Sequence, residues 1–231
     1  MSKTIAVVGF GPGISTGVAE RFGAAGFAVG LVARGADKLA AGVAALGGKG
    51  IKAGGFPADA GDPESIRAAI GRIHAELGAL TVLHWNAFGG GASGDLLTSD
   101  PVSVTQDIAG VGIGGLLAAV QAALPDLKSA GEGAVLVTNG GFGLSTPQVD
   151  AMAVGMKSMG VALANTAKDR LVGLLAERLK GEGVYVGQVM VNGAVKGTPF
   201  AGSGGGIDPA AIADKFWGLY ETRGEIRTQI A

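Results

Sequence analysis

The sequence predicts an α/β protein with a single Rossmann-type, doubly wound parallel sheet flanked by helices on both faces. Three observations lead to this prediction. Apolar runs alternate with longer amphipathic runs along all 231 residues. The apolar runs lack alternating polar residues, as expected for strands that are covered on both faces. The first of them breaks into glycines and resumes with helical periodicity, which is the layout of a dinucleotide-binding turn. Because no linker interrupts the pattern, we predict one domain over residues 1–231.

The elements follow in chain order from these two periodicities. Strands are expected at 4–9, 28–33, 51–56, 80–85, 134–138 and 184–191. Helices are expected at about 14–25, 36–46, 63–77, 101–128, 150–181 and 209–221. The glycine-rich segments 89–94 and 202–206 each follow a predicted strand. The second is either a mobile substrate lid or an ordinary surface loop.

Composition narrows the classes of function. The net charge is −1 and there is no long run of either sign, so nothing favours nucleic-acid binding. The absence of cysteine excludes disulfides and thiolate chemistry, and no metal site is expected. Polar residues interrupt the apolar segments 111–124 and 151–175, which predicts buried helices and no membrane span. Since no signal-peptide pattern precedes the first strand, we expect a cytoplasmic protein. We expect its partner to be a small molecule.

The glycine turn after the first strand is the strongest candidate site. Glycines let the backbone approach a pyrophosphate closely, and the N-terminus of the next helix offers free N–H groups. The predicted cofactor contacts in this turn are Gly9, Gly11, Gly13, Ile14 and Ser15.

Two residues at later strand ends bear on the choice of cofactor. Enzymes that bind NAD usually place an acid at the end of the second strand, but this chain has Arg34 there. Arg34 could pair with a 2′-phosphate, which favours NADP and leaves NAD possible; alternatively, it is a solvated side chain that opens a helix. Asp59 follows the third strand, where it could accept a hydrogen bond from adenine or could simply begin a turn.

Several segments, in order, resemble the short-chain dehydrogenase/reductase family over nearly the whole chain. Residues 9–15 match the family's TGxxxGxG loop, with Val8 for Thr and Ser15 for the last Gly. Residues 85–88 match its NNAG segment, residues 115–125 match the helix that ends in a QAALP-like phrase, and residues 191–199 match PGxxxT with Asn192 for Pro. The cofactor contacts that this resemblance implies are Asn86, Ala87, Gly193, Val195 and Thr198.

The resemblance also implies a catalytic set of Asn, Ser, Tyr and Lys, with the Tyr four residues before the Lys. Lys157 is the natural match and is expected to hold the cofactor ribose. The Tyr position is then Ala153, the Ser position is Gly140 or possibly Asn139, and the Asn position is Gly112. This chain is therefore similar to a divergent branch of the family that lacks the usual Tyr.

The remaining candidates for chemistry are Lys157, Asp150 and Asn139. A partly desolvated Lys157 could donate a proton, or it could bind ribose alone. The Asn139 amide could polarise a carbonyl, whereas Asp150 could flank the site or simply cap a helix. In a partial resemblance to enoyl-acyl carrier protein reductases, Ser15 lies six residues after Gly9, but Asp150 stands where those enzymes have Tyr.

Two functions from different classes compete. The first is an NAD(P)-dependent oxidoreductase, NADP-preferring, that transfers a hydride to or from a small or apolar carbonyl or enoyl-type substrate. The second is a catalytically silent dinucleotide-binding or sensor protein, as the replacements at positions 112, 140 and 153 suggest. An isomerase or dehydratase is a third option. By resemblance, helices near 110–115 and 155–160 imply a homodimer or homotetramer.

Overall fold

The computed structural model of the protein describes residues 3–89, 94–201 and 205–231. Parts of the predicted segments 89–94 and 202–206, namely residues 90–93 and 202–204, lie outside the described residues. A seven-stranded sheet runs through the described chain in the order β3-β2-β1-β4-β5-β6-β7, and every adjacent pair of strands is parallel. The predicted fold class is therefore confirmed.

The six predicted strands are all present, with ends shifted by at most two residues. They are β1 Thr4–Val8, β2 Ala28–Ala33, β3 Ala53–Pro57, β4 Leu80–Trp85, β5 Ala134–Gly140 and β6 Tyr185–Val191. The edge strand β7, Arg227–Ile230, is an addition that the sequence prediction missed. The strand has only four residues and three of them are polar, so it lacks the apolar run by which the other strands are recognised.

The helices differ from the prediction in two places. They are α1 Ile14–Ala24, α2 Ala36–Gly47, α3 Pro63–Leu77, α4 Pro101–Ala109, α5 Leu116–Ser129, α6 Pro147–Gly155, α7 Met159–Leu179 and α8 Pro209–Thr222. The predicted helix over 101–128 is present as one continuous helical stretch, but a π-helical segment with four glycines, Gly110–Gly115, joins α4 to α5. The prediction of one helix over 150–181 is wrong. The chain breaks between α6 and α7, where Lys157 has a left-handed φ of 50°.

Helices cover both faces of the sheet, and each face has its own core. One core packs α3, α5 and α7 on the sheet through residues such as Ile66, Leu116 and Val172. The other packs α1, α2 and α8 on the opposite face through Phe22 and Phe216. The strand order reverses between β1 and β4, and in such sheets the crevice at the carboxyl ends of these strands binds the ligand.

One continuous helical stretch, Pro101–Ser129, is long and apolar enough to cross a membrane by length and composition alone. A core helix of a soluble protein meets the same criterion. In the α5 part of this stretch, Leu116, Ala119 and Leu127 are fully buried in the core.

Candidate functional site

The loop after β1 packs directly against the loop after β4. The backbone N–H groups of Gly9 and Phe10 both donate to the Val32 carbonyl at 2.9 Å, which turns the chain sharply. Gly9 has a φ of 85°, and a Cβ there would lie 2.5 Å from the Ala87 backbone. The Asn86 N–H donates to the Val8 carbonyl at 2.8 Å, and its Nδ2 donates to the Gly9 carbonyl at 3.3 Å. Only glycine fits at position 9.

Ser15 fixes the shape of the glycine turn from beneath. It is fully buried, and its Oγ both accepts from the Gly11 N–H and donates to the Gly11 carbonyl, each at 2.9 Å. Thr16 Oγ1 donates to the same carbonyl at 2.8 Å. The Ser15 hydroxyl therefore holds the loop, and the predicted contact between Ser15 and a cofactor stays a prediction for its backbone N–H.

The N-terminus of α1 is left without a cap, unlike those of most other helices. Helices α3, α4, α6 and α8 begin with a side chain that accepts a backbone N–H: Asp62, Asp100, Thr146 and Asp208. Helix α1 begins at Gly13 with no capping side chain and no acid in its first turn. A Cβ on Gly11 would meet nothing within 4 Å. Free N–H groups beside open space suit an anion, so these residues fit a pyrophosphate.

Arg34 and Asp59 lie at the ends of β2 and β3. Arg34 is exposed, and no carboxylate in residues 3–89, 94–201 or 205–231 pairs with it. Its guanidinium is thus available to a phosphate. Asp59 is exposed as well, but its Oδ1 accepts the N–H of Gly61 at 2.9 Å. Of the two roles expected for Asp59, an adenine contact and the start of a turn, this hydrogen bond corresponds to the start of a turn.

The segment after β6 closes the other side of the crevice. Thr198 Oγ1 donates to the Val195 carbonyl at 2.7 Å, and the Thr198 methyl lies 2.8 Å from where a Cβ on Gly13 would be. Val195 forms a parallel bridge with Ile207, and Gly193 packs beside the same residue. The loops after β1, β4 and β6 therefore meet, and they bring together the predicted cofactor contacts from those three segments.

Lys157 and Asp150 lie on the segment that joins β5 to α7. Both side chains are exposed, and Lys157 lies in the break between α6 and α7, where its carbonyl accepts the Gly94 N–H at 2.6 Å. The capping role considered for Asp150 is wrong, because Thr146 Oγ1 accepts the Val149 N–H at the start of α6. Asp150 lies in the first turn of that helix.

Asn139 is buried at the end of β5, and its amide is engaged within the protein. Its Nδ2 donates to the Asn165 carbonyl at 3.0 Å and to Gln188 Oε1 at 3.2 Å, and its Oδ1 accepts the Gly140 N–H at 3.0 Å. Gln188 continues the chain of bonds to Asp169 Oδ1 at 2.7 Å. With its amide so committed, Asn139 positions neighbouring groups and does not present a free amide to a substrate.

Helix α7 carries two buried polar side chains, which are among the polar residues that interrupt the apolar segment 151–175. Asn165 and Lys168 are 4% and 5% exposed and lie three residues apart, hence on one face. Burial lowers the pKa of Lys168 to about 8, and no partner for its ammonium occurs within the described residues. The spacing of these residues on a helix next to the Asn139 strand is the signal that could have identified them.

His84, the next-to-last residue of β4, is fully buried in the core. Its ring packs edge-on against Phe216 at 4.7 Å, and its Nε2 lies 3.2 Å from Thr138 Oγ1. Burial lowers the pKa of His84 to about 3, so the imidazole is neutral near pH 7.

Comparisons with known proteins agree with this architecture. The family model described as short chain dehydrogenase matches residues 3–198. No curated protein matches the chain. One similar solved structure is a metagenomic short-chain oxidoreductase in complex with NADP, with 23% identity, 99% of this chain and 96% of that chain covered, and a TM-score of 0.81. A second is an alcohol dehydrogenase from the archaeon Thermococcus sibiricus complexed with 5-hydroxy-NADP, with 21% identity, 99% of this chain and 94% of that chain covered, and a TM-score of 0.80. A third is the L-sorbose reductase of Gluconobacter frateurii complexed with NADPH and L-sorbose, with 17% identity, 99% of this chain and 95% of that chain covered, and a TM-score of 0.85. At these identities the structures show a shared fold.

Proposed function

Because this chain belongs to the short-chain dehydrogenase family, we propose that it is an NADP-dependent oxidoreductase that reduces an apolar carbonyl compound. One observation carries the proposal: the glycine turn of residues 9–13 leads into the uncapped start of α1, beside the unpaired guanidinium of Arg34. A diphosphate and a 2′-phosphate are the charges that such a site accommodates. The three similar structures named above, each with NADP, a modified NADP or NADPH, support the same cofactor.

Each part of the cofactor has residues to hold it. The free N–H groups at the start of α1 would bind the pyrophosphate, and Ser15 would keep the turn open for it. Arg34 would pair with the 2′-phosphate. Residues of the β4 and β6 loops, Ala87 and Thr198 among them, would line the path towards the end of β5. When bound, the reduced nicotinamide supplies the hydride, and the protein orients the carbonyl and supplies the proton.

Lys168 is the better candidate for the proton source than Lys157. A general acid works best when its pKa is near the working pH, and burial moves the pKa of Lys168 to about 8. Lys168 lies on α7 one turn after Asn165, which faces the end of β5. Lys157, in contrast, is exposed at the break between helices. We therefore propose that Lys168, and not Lys157, donates the proton.

An apolar substrate is favoured by the side chains around the carboxyl ends of the strands. The loops after β4, β5 and β6 and the helix α6 each expose large apolar groups there: Phe88, Leu144, Met152, Met156 and Phe200. Exposed apolar side chains on the loops at the ligand-binding ends of the strands favour an apolar ligand.

The test is NADPH oxidation by the purified protein with a panel of small and apolar aldehydes, ketones and enoyl compounds. Turnover is expected with NADPH, and Arg34→Ala should reduce kcat/KM for NADPH by at least about tenfold while leaving that for NADH unchanged. Lys52→Ala is the matched control, because Lys52 is exposed just before β3, at the amino ends of the strands, whereas Arg34 lies at their carboxyl ends. The absence of any turnover, or an equal effect of both variants, would contradict the proposal.

A catalytically silent dinucleotide sensor is the second candidate. Gly112, Gly140 and Ala153 carry no reactive group at the positions that the family resemblance assigns to catalysis. Saturable NADPH binding without consumption of NADPH by any compound of the panel would favour this candidate.

We also propose that the protein is a cytoplasmic homodimer or homotetramer. None of the residues of α4 is buried, and Val102, Leu163 and Leu174 are exposed on α4 and α7. Light scattering of the purified protein should give a mass of two or four chains, and a mass of one chain would contradict the assembly. Cell fractionation tests the location.

A further inference from the structure

The carboxamide of Asn165 is buried at the carboxyl end of β5 and has no hydrogen-bond partner in the described part of the chain. The residue is 4% exposed, and only its main-chain carbonyl accepts a hydrogen bond, from Asn139. Both polar atoms of this carboxamide keep some contact with solvent, so a ligand that displaces water can bind them. Such a group at a ligand-binding edge of the sheet points to a ligand as its partner.

Glycines make room for this carboxamide. A Cβ on Gly140 would lie 2.8 Å from Asn165 Nδ2, so the amide occupies the space that a side chain at position 140 would take. A Cβ on Gly143 would lie 3.1 Å from the Asn165 backbone, so this glycine lets α7 approach the turn after β5. By the family resemblance, Gly140 replaces a residue with a hydroxyl group. In the folded chain, another donor stands in its place.

The backbone of Asn165 is held firmly while its side chain stays unbound. Asn139 Nδ2 anchors the Asn165 carbonyl, and Gln188 and Asp169 extend this buried set of hydrogen bonds to Arg227 on β7. A donor that is positioned before the reaction stabilises developing charge without reorganisation. Truncation of the Asn165 side chain leaves these hydrogen bonds in place, because they use its main-chain oxygen.

We propose that the Asn165 carboxamide donates a hydrogen bond to the carbonyl oxygen of the substrate and stabilises the negative charge that develops there. The inference rests on the proposed reductase function. As hydride from the reduced nicotinamide adds to the carbonyl carbon, the π electron pair moves to the oxygen. That oxygen then takes one proton from the Lys168 ammonium, directly or through water. The products are the alcohol and the oxidised nicotinamide, and Lys168 regains its proton from solvent.

The kinetic test compares four variants with the wild type, with NADPH varied at a saturating concentration of the best ketone of the panel. Asn165→Ala should lower kcat by about 10²–10³-fold, as removal of one such donor does, without raising the KM for NADPH. Gly140→Ser should also lose rate, because its Cβ meets the amide at 2.8 Å. The double variant Asn165→Ala/Gly140→Ser should recover at least about tenfold over Asn165→Ala, since a hydroxyl donor then fills the vacated space. Glu177→Ala, an exposed change on the same helix, is the control.

A spectroscopic test does not depend on turnover. The Asn165 side-chain amide signals of ¹⁵N-labelled protein, assigned by their loss in Asn165→Ala, should shift when cyclohexanone is added in the presence of NADP⁺. Wild-type kcat in Asn165→Ala, or side-chain signals that do not move, would overturn the role of Asn165 alone. A wild-type protein that binds no NADPH would overturn the proposed function and this inference together. Failure of the double variant to recover rate would also count against the spatial substitution.

Discussion

Replacement of Lys168 by methionine should make the protein more stable and less active. The pKa of Lys168 falls from 10.5 to about 8 on burial, with no compensating partner in the described residues. Since one pKa unit corresponds to 1.36 kcal/mol, keeping this ammonium charged in the fold costs about 3 kcal/mol. Methionine has a similar length and no charge, so Lys168→Met should recover that amount at pH 7. In a chain of this size, such a gain raises the Tm by roughly 6–12 °C.

The stability difference between Lys168→Met and the wild type should depend on pH, because Lys168 titrates at a lower pH in the folded state than in the unfolded state. Below about pH 8 the lysine is protonated in both folded and unfolded states, so the wild type bears the full cost. Between pH 8 and 10.5 the unfolded state binds more protons than the folded state, so wild-type stability rises and the advantage of Lys168→Met shrinks. Urea unfolding of both proteins from pH 7 to 10.5 measures this difference. Wild-type kcat for reduction should fall above about pH 8, because the proton donor is then neutral.

The matched control is Lys215→Met on α8, where the lysine is exposed. Its effect on the free energy of unfolding should stay within about 0.5 kcal/mol at every pH. The reasoning is refuted if Lys168→Met is no more stable than the wild type at pH 7, or if its advantage does not decline with pH.

Three further predictions concern the core and the glycine turn. The His84 imidazole stays neutral in the fold down to about pH 3, so wild-type stability should fall by up to about 5 kcal/mol between pH 6.5 and 3. His84→Leu should lack this loss in urea unfolding at pH 7 and 4, and equal acid sensitivity of both proteins would exclude the explanation. Ser15→Ala removes both bonds to Gly11 and should weaken NADPH and NADH binding alike by about tenfold in calorimetry; an effect on NADPH alone would contradict the indirect role. Gly11→Ala should keep the wild-type Tm, because its Cβ meets nothing within 4 Å, yet should block cofactor binding, whereas Gly9→Ala should lower the Tm because its Cβ meets Ala87 at 2.5 Å. A Gly11→Ala protein that binds NADPH normally would show that the turn does not contact the cofactor.

The sheet and the cofactor crevice follow from the sequence because their signals are local. Apolar runs define six of the seven strands, and the glycine turn of residues 9–13 is contiguous in the chain. Strand β7 is not predicted from the sequence, since its pairing with β6 depends on tertiary contacts and not on an apolar pattern.

The chemistry at the end of β5 does not follow from the sequence, because it depends on where α7 begins. A regular helix over 150–181 would carry Lys157 on a continuous face with Ala153. The break at Lys157 instead leaves that residue exposed, and the buried polar face belongs to Asn165 and Lys168. Motif spacing could not reveal this, since a left-handed residue within an apolar stretch leaves no pattern of its own.

Similarly, the meaning of Gly140 depends on a contact with a residue 25 positions further along the chain. The sequence shows only that a hydroxyl is absent there. The structure shows that the Asn165 amide fills the space, so the absence of one donor and the presence of another are parts of the same arrangement.

The most direct test of the central claim is a calorimetric titration of the wild-type protein with NADPH and, separately, with NADH. The uncapped start of α1 together with the unpaired Arg34 predicts saturable binding of one NADPH per chain, at least about tenfold tighter than NADH. The same titration of Arg34→Ala should bring the two affinities together. No measurable binding of either nucleotide would contradict the assignment of this crevice to a dinucleotide, and equal affinities in the wild type would contradict the role given to Arg34.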